Sequence, residues 1–210
     1  MTARFITLEG GEGAGKSSSL AVIADFLRTR GIAHRVTREP GGTALGEAIR
    51  ALLLGDAEEG VDPLAELLLV FAARAQHLAR VIRPALAAGV WVVCDRFTDA
   101  SYAYQGGGRE LGPVPVAALE QLVHSGLRPD LTLVLDVEPR LGLERIRGRG
   151  PQDRFEREQM AFFERVRTAY RQRSAAEPER CRLIDAGQSP ERVASAILTH
   201  LEALVSADGY

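Results

Sequence analysis

The residues of this chain best suited to hold phosphate are Gly10-Gly11-Glu12-Gly13-Ala14-Gly15-Lys16-Ser17, which fit G-x-x-x-x-G-K-[ST]. At that spacing the N–H groups of a Gly-rich turn can surround phosphate oxygens, a Lys can reach between two phosphates, and a hydroxyl can face magnesium. Lys16 is the only lysine among the 26 Lys and Arg residues. A chain that otherwise uses Arg keeps Lys where a compact ammonium fits and a wide planar guanidinium fits badly. The expected chemistry is nucleoside triphosphate binding by Gly10, Gly11, Glu12, Gly13, Ala14, Gly15, Lys16, Ser17 and the adjoining Ser18.

Three further clusters are compatible with that chemistry. Asp95-Arg96 ends an apolar run, so a carboxylate for the magnesium water shell and a guanidinium for a second phosphate emerge together. Arg38-Glu39-Pro40-Gly41-Gly42-Thr43 is followed by Arg50. Ser101-Tyr102-Ala103-Tyr104-Gln105-Gly106-Gly107-Gly108-Arg109 combines aromatics, an amide and a flexible Gly run, as a base pocket would. Either of these two segments alone is equally an ordinary turn. Arg145, Arg147, Arg149 and Arg154 crowd a segment interrupted by Gly148, Gly150 and Pro151. Arg145 and Arg149 on one helical face would repel, which points to an absent anion and a hinged lid over triphosphate; the alternative is a solvated face balanced by Glu144, Asp153 and Glu156.

These residues need a frame that brings them together. Apolar, β-branched runs at Phe5 to Leu8, Ala33 to Thr37, Val90 to Cys94, Leu131 to Val137 and Arg182 to Asp185 alternate with helical patterns near 16–30, 43–54, 62–88, 113–125, 139–147, 156–176 and 189–206. That alternation predicts an α/β fold with a parallel sheet. Asp62-Pro63 and Ser189-Pro190 read as helix starts, and Gly31 and Gly89 as stops. The first strand runs straight into the Gly-rich loop, which opens the first helix: the context in which backbone amides and a helix N-terminus converge on phosphate.

Bulk properties set limits. The 210 residues carry a formal charge of −2 and 46% hydrophobic content, which predicts one domain over 1–210 with a lid insertion at about 145–156. Such a surface is not built to collect nucleic acid. No run of apolar residues is long enough to cross a membrane, and the N-terminus lacks a signal-peptide layout, so the expected location is cytoplasmic. Cys94 and Cys181 read as reduced core thiols, and the four His residues show no metal-ligand spacing. A nucleotide switch is the rival from another class, but one lysine, already in the Gly-rich loop, leaves no N-K-x-D guanine motif.

Over nearly its full length the chain resembles the bacterial thymidylate kinases (dTMP kinases) of the type with catalytic arginines in the lid. The resemblance is carried by Gly10 to Ser17, Thr37-Arg38-Glu39-Pro40-Gly41-Gly42-Thr43, Phe71-Ala72-Ala73-Arg74, Asp95-Arg96-Phe97, Ala103-Tyr104-Gln105-Gly106-Gly107-Gly108, Arg128-Pro129-Asp130 and the arginine-rich segment. It implies the P-loop nucleoside monophosphate kinase fold, a five-stranded parallel sheet wrapped by helices. It also implies a homodimer, with the apolar segment Leu64 to Leu86 either its interface or a core helix, and the Mg²⁺-dependent reaction ATP + dTMP → ADP + dTDP, which feeds dTTP and DNA synthesis.

Roles follow from the resemblance. Lys16 and the loop hold the ATP phosphates, Ser17 and Asp95 the magnesium, and Arg96 with Arg50 the dTMP phosphate. Arg74 donates to a thymine carbonyl, Ser101 and Gln105 complete the base readout, and Tyr104 lies under the sugar. Glu12 accepts from the deoxyribose 3′-OH or a magnesium-bound water, and Glu39 and Phe71 belong to the dTMP site. Lys16, Arg96, Arg149, Arg145 and Arg154 form the catalytic set, with Arg149 first among the lid arginines. Two positions depart from the family: Val70 stands where a thymine-stacking Phe is common, leaving Phe71 or another apolar wall to replace it, and Phe97 replaces a Tyr or His.

Overall fold

The computed structural model describes residues 2–55, 59–148 and 153–206. Five strands, β1 (Phe5–Gly10), β2 (His34–Arg38), β3 (Trp91–Asp95), β4 (Leu131–Asp136) and β5 (Cys181–Asp185), form one parallel sheet in the order β2-β3-β1-β4-β5. The two strands flanking β1 connect in opposite directions, which opens a crevice at their carboxyl ends where α/β sheets bind ligands. β1 and β4 are buried on both faces and read as near-continuous apolar runs for that reason.

Helices α1 (Lys16–Thr29) and α9 (Pro190–Ser206) cover one face. Ile6 and Leu8 of β1 meet Ile23 and Leu27 of α1 and Ile197 and Leu201 of α9 there, all fully buried. Each such side chain contributes about 1.5–3 kcal/mol relative to exposure. The alternate residues Phe5, Thr7 and Glu9 face the other side of the sheet, toward α8 (Met160–Ala176) and the elements after β3. The remaining helices are α2 (Ala44–Leu54), α3 (Pro63–His77), α4 (Arg83–Ala87), α5 (Thr98–Ser101), α6 (Pro113–His124) and α7 (Pro139–Ile146).

The helix expected over 62–88 is present with a fault in it. Asp62 caps α3 by accepting from the amides of Leu64 and Ala65. A π-helical turn, Leu78–Ile82, then leads into α4, and the Arg83 amide reaches back five residues to Leu78 O. Pro84 lies one residue further on and has no N–H for an i−4 bond, so the ladder widens there. Gly31 and Gly89 adopt left-handed conformations behind their helices, as their stop role requires.

One segment differs from its sequence reading. The segment Ser101 to Arg109, read as a flexible Gly run or an ordinary turn, is largely helical: α5 passes into a second π-helical stretch, Tyr102–Gly108. Gly107 and Gly108 serve close packing rather than mobility. A Cβ on Gly108 would lie 2.5 Å from the Phe162 ring, and one on Gly107 2.8 Å from the Cβ of Ala169, so α8 presses onto this turn only because side chains are missing. In addition α8 begins at Met160, not 156, and α7 stops at Ile146. The described part of α7 therefore carries Arg145 but does not reach Arg149, which lies outside the described residues.

Candidate functional site

A cavity of about 370 Å³ opens at the carboxyl ends of β1 and β3. Its wall carries Glu12 to Ser18 of the loop after β1, Arg50 of α2, and Asp95 and Arg96 at the end of β3. Val70 and Arg74 of α3, with Phe97, Ser101, Tyr104 and Gln105, complete it. The topology thus joins the three sequence clusters into one space.

The loop owes its shape to its glycines. Gly13 has φ 68°, and a Cβ there would overlap the carbonyl oxygen of Gly142 in α7. Lys16 opens α1 and folds back over the loop, its Nζ donating to Gly10 O and Gly11 O at 3.1 Å each. Burial and then the Arg96 charge depress the Lys16 pKa, against the opposing pull of Glu12 and Asp95. An ammonium bonded only to carbonyls, with its charge partly uncompensated, is ready to exchange those bonds for phosphate oxygens.

Arg96 adopts a left-handed backbone, φ 64°, unusual for a side chain of its size. The turn aims its guanidinium back over the loop, where it meets Glu12 Oε1 at 2.6 Å and lies 4.7 Å over the Tyr104 ring. The Tyr104 hydroxyl donates to the same Glu12 oxygen at 2.8 Å. Burial would raise the Glu12 pKa, but Arg96 and Lys16 overcome it and hold it at about 2, so Glu12 is a fixed anion. Arg50 donates to Pro40 O at 3.1 Å, and burial, followed by the like charges of Arg38 and Arg96, lowers its pKa. Arg50, bonded to a backbone carbonyl, and Arg96, paired with Glu12, face one cavity together, and two such guanidiniums describe an anion site. Asp95 Oδ1 is buried and has no hydrogen-bond partner. A bare carboxylate oxygen in the cavity that the exposed Ser17 also lines suits a divalent cation or its water shell.

The second part of the wall is held tightly. Buried Arg74 donates through Nε to Glu39 Oε2 at 2.6 Å, through one terminal nitrogen to Ser101 Oγ at 3.0 Å, and through the other to Phe97 O at 2.9 Å. Glu39 Oε1 takes His77 Nδ1 at 2.9 Å, and Thr37 Oγ1 lies 2.7 Å from His77 Nε2. Cys94 approaches this group, but Glu39 and His77 have spent their ligand atoms on neighbours, so the cluster is a hydrogen-bond network. Both cysteines are free and buried, as expected.

Phe71 departs from its expected place. The cavity wall carries Val70, while the Phe71 ring is buried with Leu67, Tyr102 and Val116 and lies under Arg74, whose Cζ is 4.5 Å from its centroid. One position along a helix turns a side chain by about 100°, and that rotation carries Phe71 into the core between α3 and α6. The rings that do line the cavity are Phe97, Tyr104 and Phe155.

Two arginines of the expected lid bond away from the cavity. Arg145 donates to Ala186 O at 2.8 Å, and Arg154 donates to Leu53 O at 2.9 Å and to Glu66 Oε2 at 2.6 Å. Neither lines the cavity. Arg149 lies outside the described residues. Sequence reading missed Asp153, Phe155 and Glu156 on the wall, and the buried acids Glu9 and Glu66 behind it. Glu66 had a signal: it is the one charge inside the run Leu64 to Phe71.

Fold and site together define a P-loop nucleoside monophosphate kinase fold, with the Gly-rich loop, Arg50 and Arg96 lining one crevice. The family model for thymidylate kinase matches residues 8–197, and the chain belongs to the thymidylate kinase family of phosphotransferases. A thymidylate kinase of Teredinibacter turnerae is 57% identical over 205 residues, covering 98% of this chain and 100% of the relative. One of Pseudomonas syringae pv. tomato is 61% identical over 189 residues, covering 90% of each chain. The crystal structure of thymidylate kinase from Ehrlichia chaffeensis superposes with a TM-score of 0.76 at 31% identity, covering 96% of this chain and 99% of that one.

Proposed function

We propose that this protein transfers the γ-phosphoryl group of ATP to dTMP, giving dTDP for dTTP synthesis. The observation that carries the reading is the single cavity in which the loop Glu12 to Ser18 adjoins Arg50 and Arg96, which in turn adjoin Arg74, Ser101 and Gln105. One set of cations is matched to a triphosphate, a second to a monophosphate, and a polar wall to a base. Lys16 and the loop amides bind the donor phosphates, and Arg96 and Arg50 bind the acceptor phosphate. Glu12 and Tyr104 bracket the sugar, and Arg74, Ser101 and Gln105 read the base. Glu39 fixes Arg74 from behind, and Val70 and Phe97 supply the apolar wall in place of Phe71.

The acceptor oxygen is already anionic, so no strong general base is needed, and catalysis is positioning plus charge stabilisation. Asp95 and Ser17 would hold Mg²⁺, which when bound neutralises charge on the donor phosphates. The segment at about 145–156 acts as a lid, bringing Arg145, Arg149 and Arg154 toward the transferring group once both substrates are bound. The protein works in the cytoplasm, a setting consistent with its two unpaired thiols. It does so as a homodimer. α3 leaves Leu64 and Leu68 about half exposed on a face whose opposite side is core, and the neighbouring α2 exposes Leu45 and Leu52.

The test is a coupled assay with ATP and magnesium against dTMP, dUMP, dCMP, AMP and GMP. Fastest turnover of dTMP is expected. Preference for another monophosphate overturns the base assignment, and slow ATP hydrolysis with no acceptor phosphorylated overturns the kinase reading.

A further inference from the structure

A fully buried acid near the cavity that no step above uses is Glu66. It lies in the first turn of α3 and is 0% exposed. Three donors converge on its carboxylate: Gln105 Nε2 reaches Oε1 at 2.8 Å, Arg109 Nε reaches Oε2 at 3.1 Å, and an Arg154 terminal nitrogen reaches Oε2 at 2.6 Å. Facing two guanidiniums, both oxygens act only as acceptors. A Gln amide, by contrast, has two faces of opposite sign, a carbonyl that accepts and an NH₂ that donates. Gln105 is itself buried and lines the cavity. With one N–H given to Glu66, its carbonyl oxygen is the acceptor it has left for a ligand, alongside the second N–H.

We propose that Glu66 is a positioning residue that sets base specificity: it locks the Gln105 amide so that an acceptor, beside the Arg74 donors, faces the bound base. An acceptor next to a donor matches a pyrimidine whose ring N3 carries hydrogen next to a carbonyl. It opposes one whose N3 is a bare acceptor next to an exocyclic amine. The cost of the mismatch arises because buried polar groups on the wall would be left unpaired. This rests on the reading of Arg74, Ser101 and Gln105 as the base wall. Glu66 also holds Arg154, so a change at Glu66 has two separable effects. Misplacing Arg154 lowers turnover of every acceptor alike, whereas releasing Gln105 alters the ratio between acceptors.

The experiment measures kcat/KM for dTMP and for 5-methyl-dCMP, which keeps the methyl group and reverses only the hydrogen-bonding edge. The wild-type protein is expected to favour dTMP strongly. In Glu66→Gln, whose amide can face Gln105 with either group, that ratio is expected to fall by about tenfold or more, chiefly through KM. Glu66→Asp keeps the charge for both arginines but withdraws it by one methylene from Gln105, and serves if Glu66→Gln does not melt cooperatively. Gln105→Met should lose the same discrimination, and combining it with Glu66→Gln should take nothing further from the ratio. A folded Glu66 variant with the wild-type ratio, or an additive double variant, overturns the inference. A wild-type protein indifferent to the two acceptors overturns the base-wall reading itself.

Discussion

On the base side of the cavity the buried polar groups are tied down: Arg74 is held by Glu39, Ser101 and Phe97 O, Glu39 by His77, and Gln105 by Glu66. On the phosphate side the charges lean on weak partners. Lys16 and Arg50 donate to backbone carbonyls, and Asp95 Oδ1 has nothing. Arg96 is the exception, and its partner Glu12 belongs to the site. The difference follows from what each side must do. Reading a base rewards rigidity, because a wall that could rearrange would accept the wrong edge. Following a phosphoryl group rewards ions whose present bonds are easily exchanged, because the charge they serve arrives with the substrate and shifts during transfer.

Substitutions on the two sides should therefore fail in different currencies. Lys16→Ala is expected to lower kcat about 10³-fold in the coupled assay, with a melting temperature close to wild type; near-normal turnover would break the phosphate-side assignment. Glu39→Gln should do the opposite. It leaves Arg74 buried without its counter-ion, a loss of about 3–5 kcal/mol, seen by calorimetry as a melting point lower by roughly 10 °C. Arg50→Ala sharpens the contrast. It should raise KM for dTMP about 10- to 100-fold, the loss of a charged hydrogen bond worth about 1.5–3 kcal/mol, and barely change the melting point.

The smallest effect concerns Glu9, which lies behind both sides. It accepts from Tyr170 OH at 2.8 Å and from the Phe97 amide at 2.7 Å, yet burial and then the Asp99 charge raise its pKa from 4.5 to about 7. Between those values the folded protein keeps a proton that the unfolded chain has released, so stability falls as pH rises through that window. Glu9→Gln removes the titration. Its stability relative to wild type should improve by on the order of 2 kcal/mol between pH 5 and 7.5, and a pH-independent difference in melting temperature would remove Glu9 from the account.

What could be read from the chain alone divides along the same line. The phosphate cradle is a local object: eight consecutive residues, a strand before them and a helix after. The central strands β1, β3 and β4 announce themselves because burial on both faces makes them nearly continuously apolar. The base wall is assembled across the sequence, with Arg74 meeting residues 35 and 27 positions away and Glu66 meeting Arg154 across 88. No spacing rule carries that information. The Gly106-Gly107-Gly108 run misleads because glycines that permit a tight approach look like glycines that permit motion. Val70 and Phe71 show the finest limit, since one helical position decides which side chain enters a cavity and which enters the core.

The interlocked Gly13 and Gly142 have a practical consequence. Because a Cβ on Gly13 would overlap Gly142 O and one on Gly142 would lie 2.3 Å from Glu12 O, α7 is in effect riveted to the nucleotide cradle. A fluorophore on the exposed Arg140 of α7 would then serve as a stationary beacon. Its distance to a second dye beyond the end of that helix would report closure as a length, without any turnover.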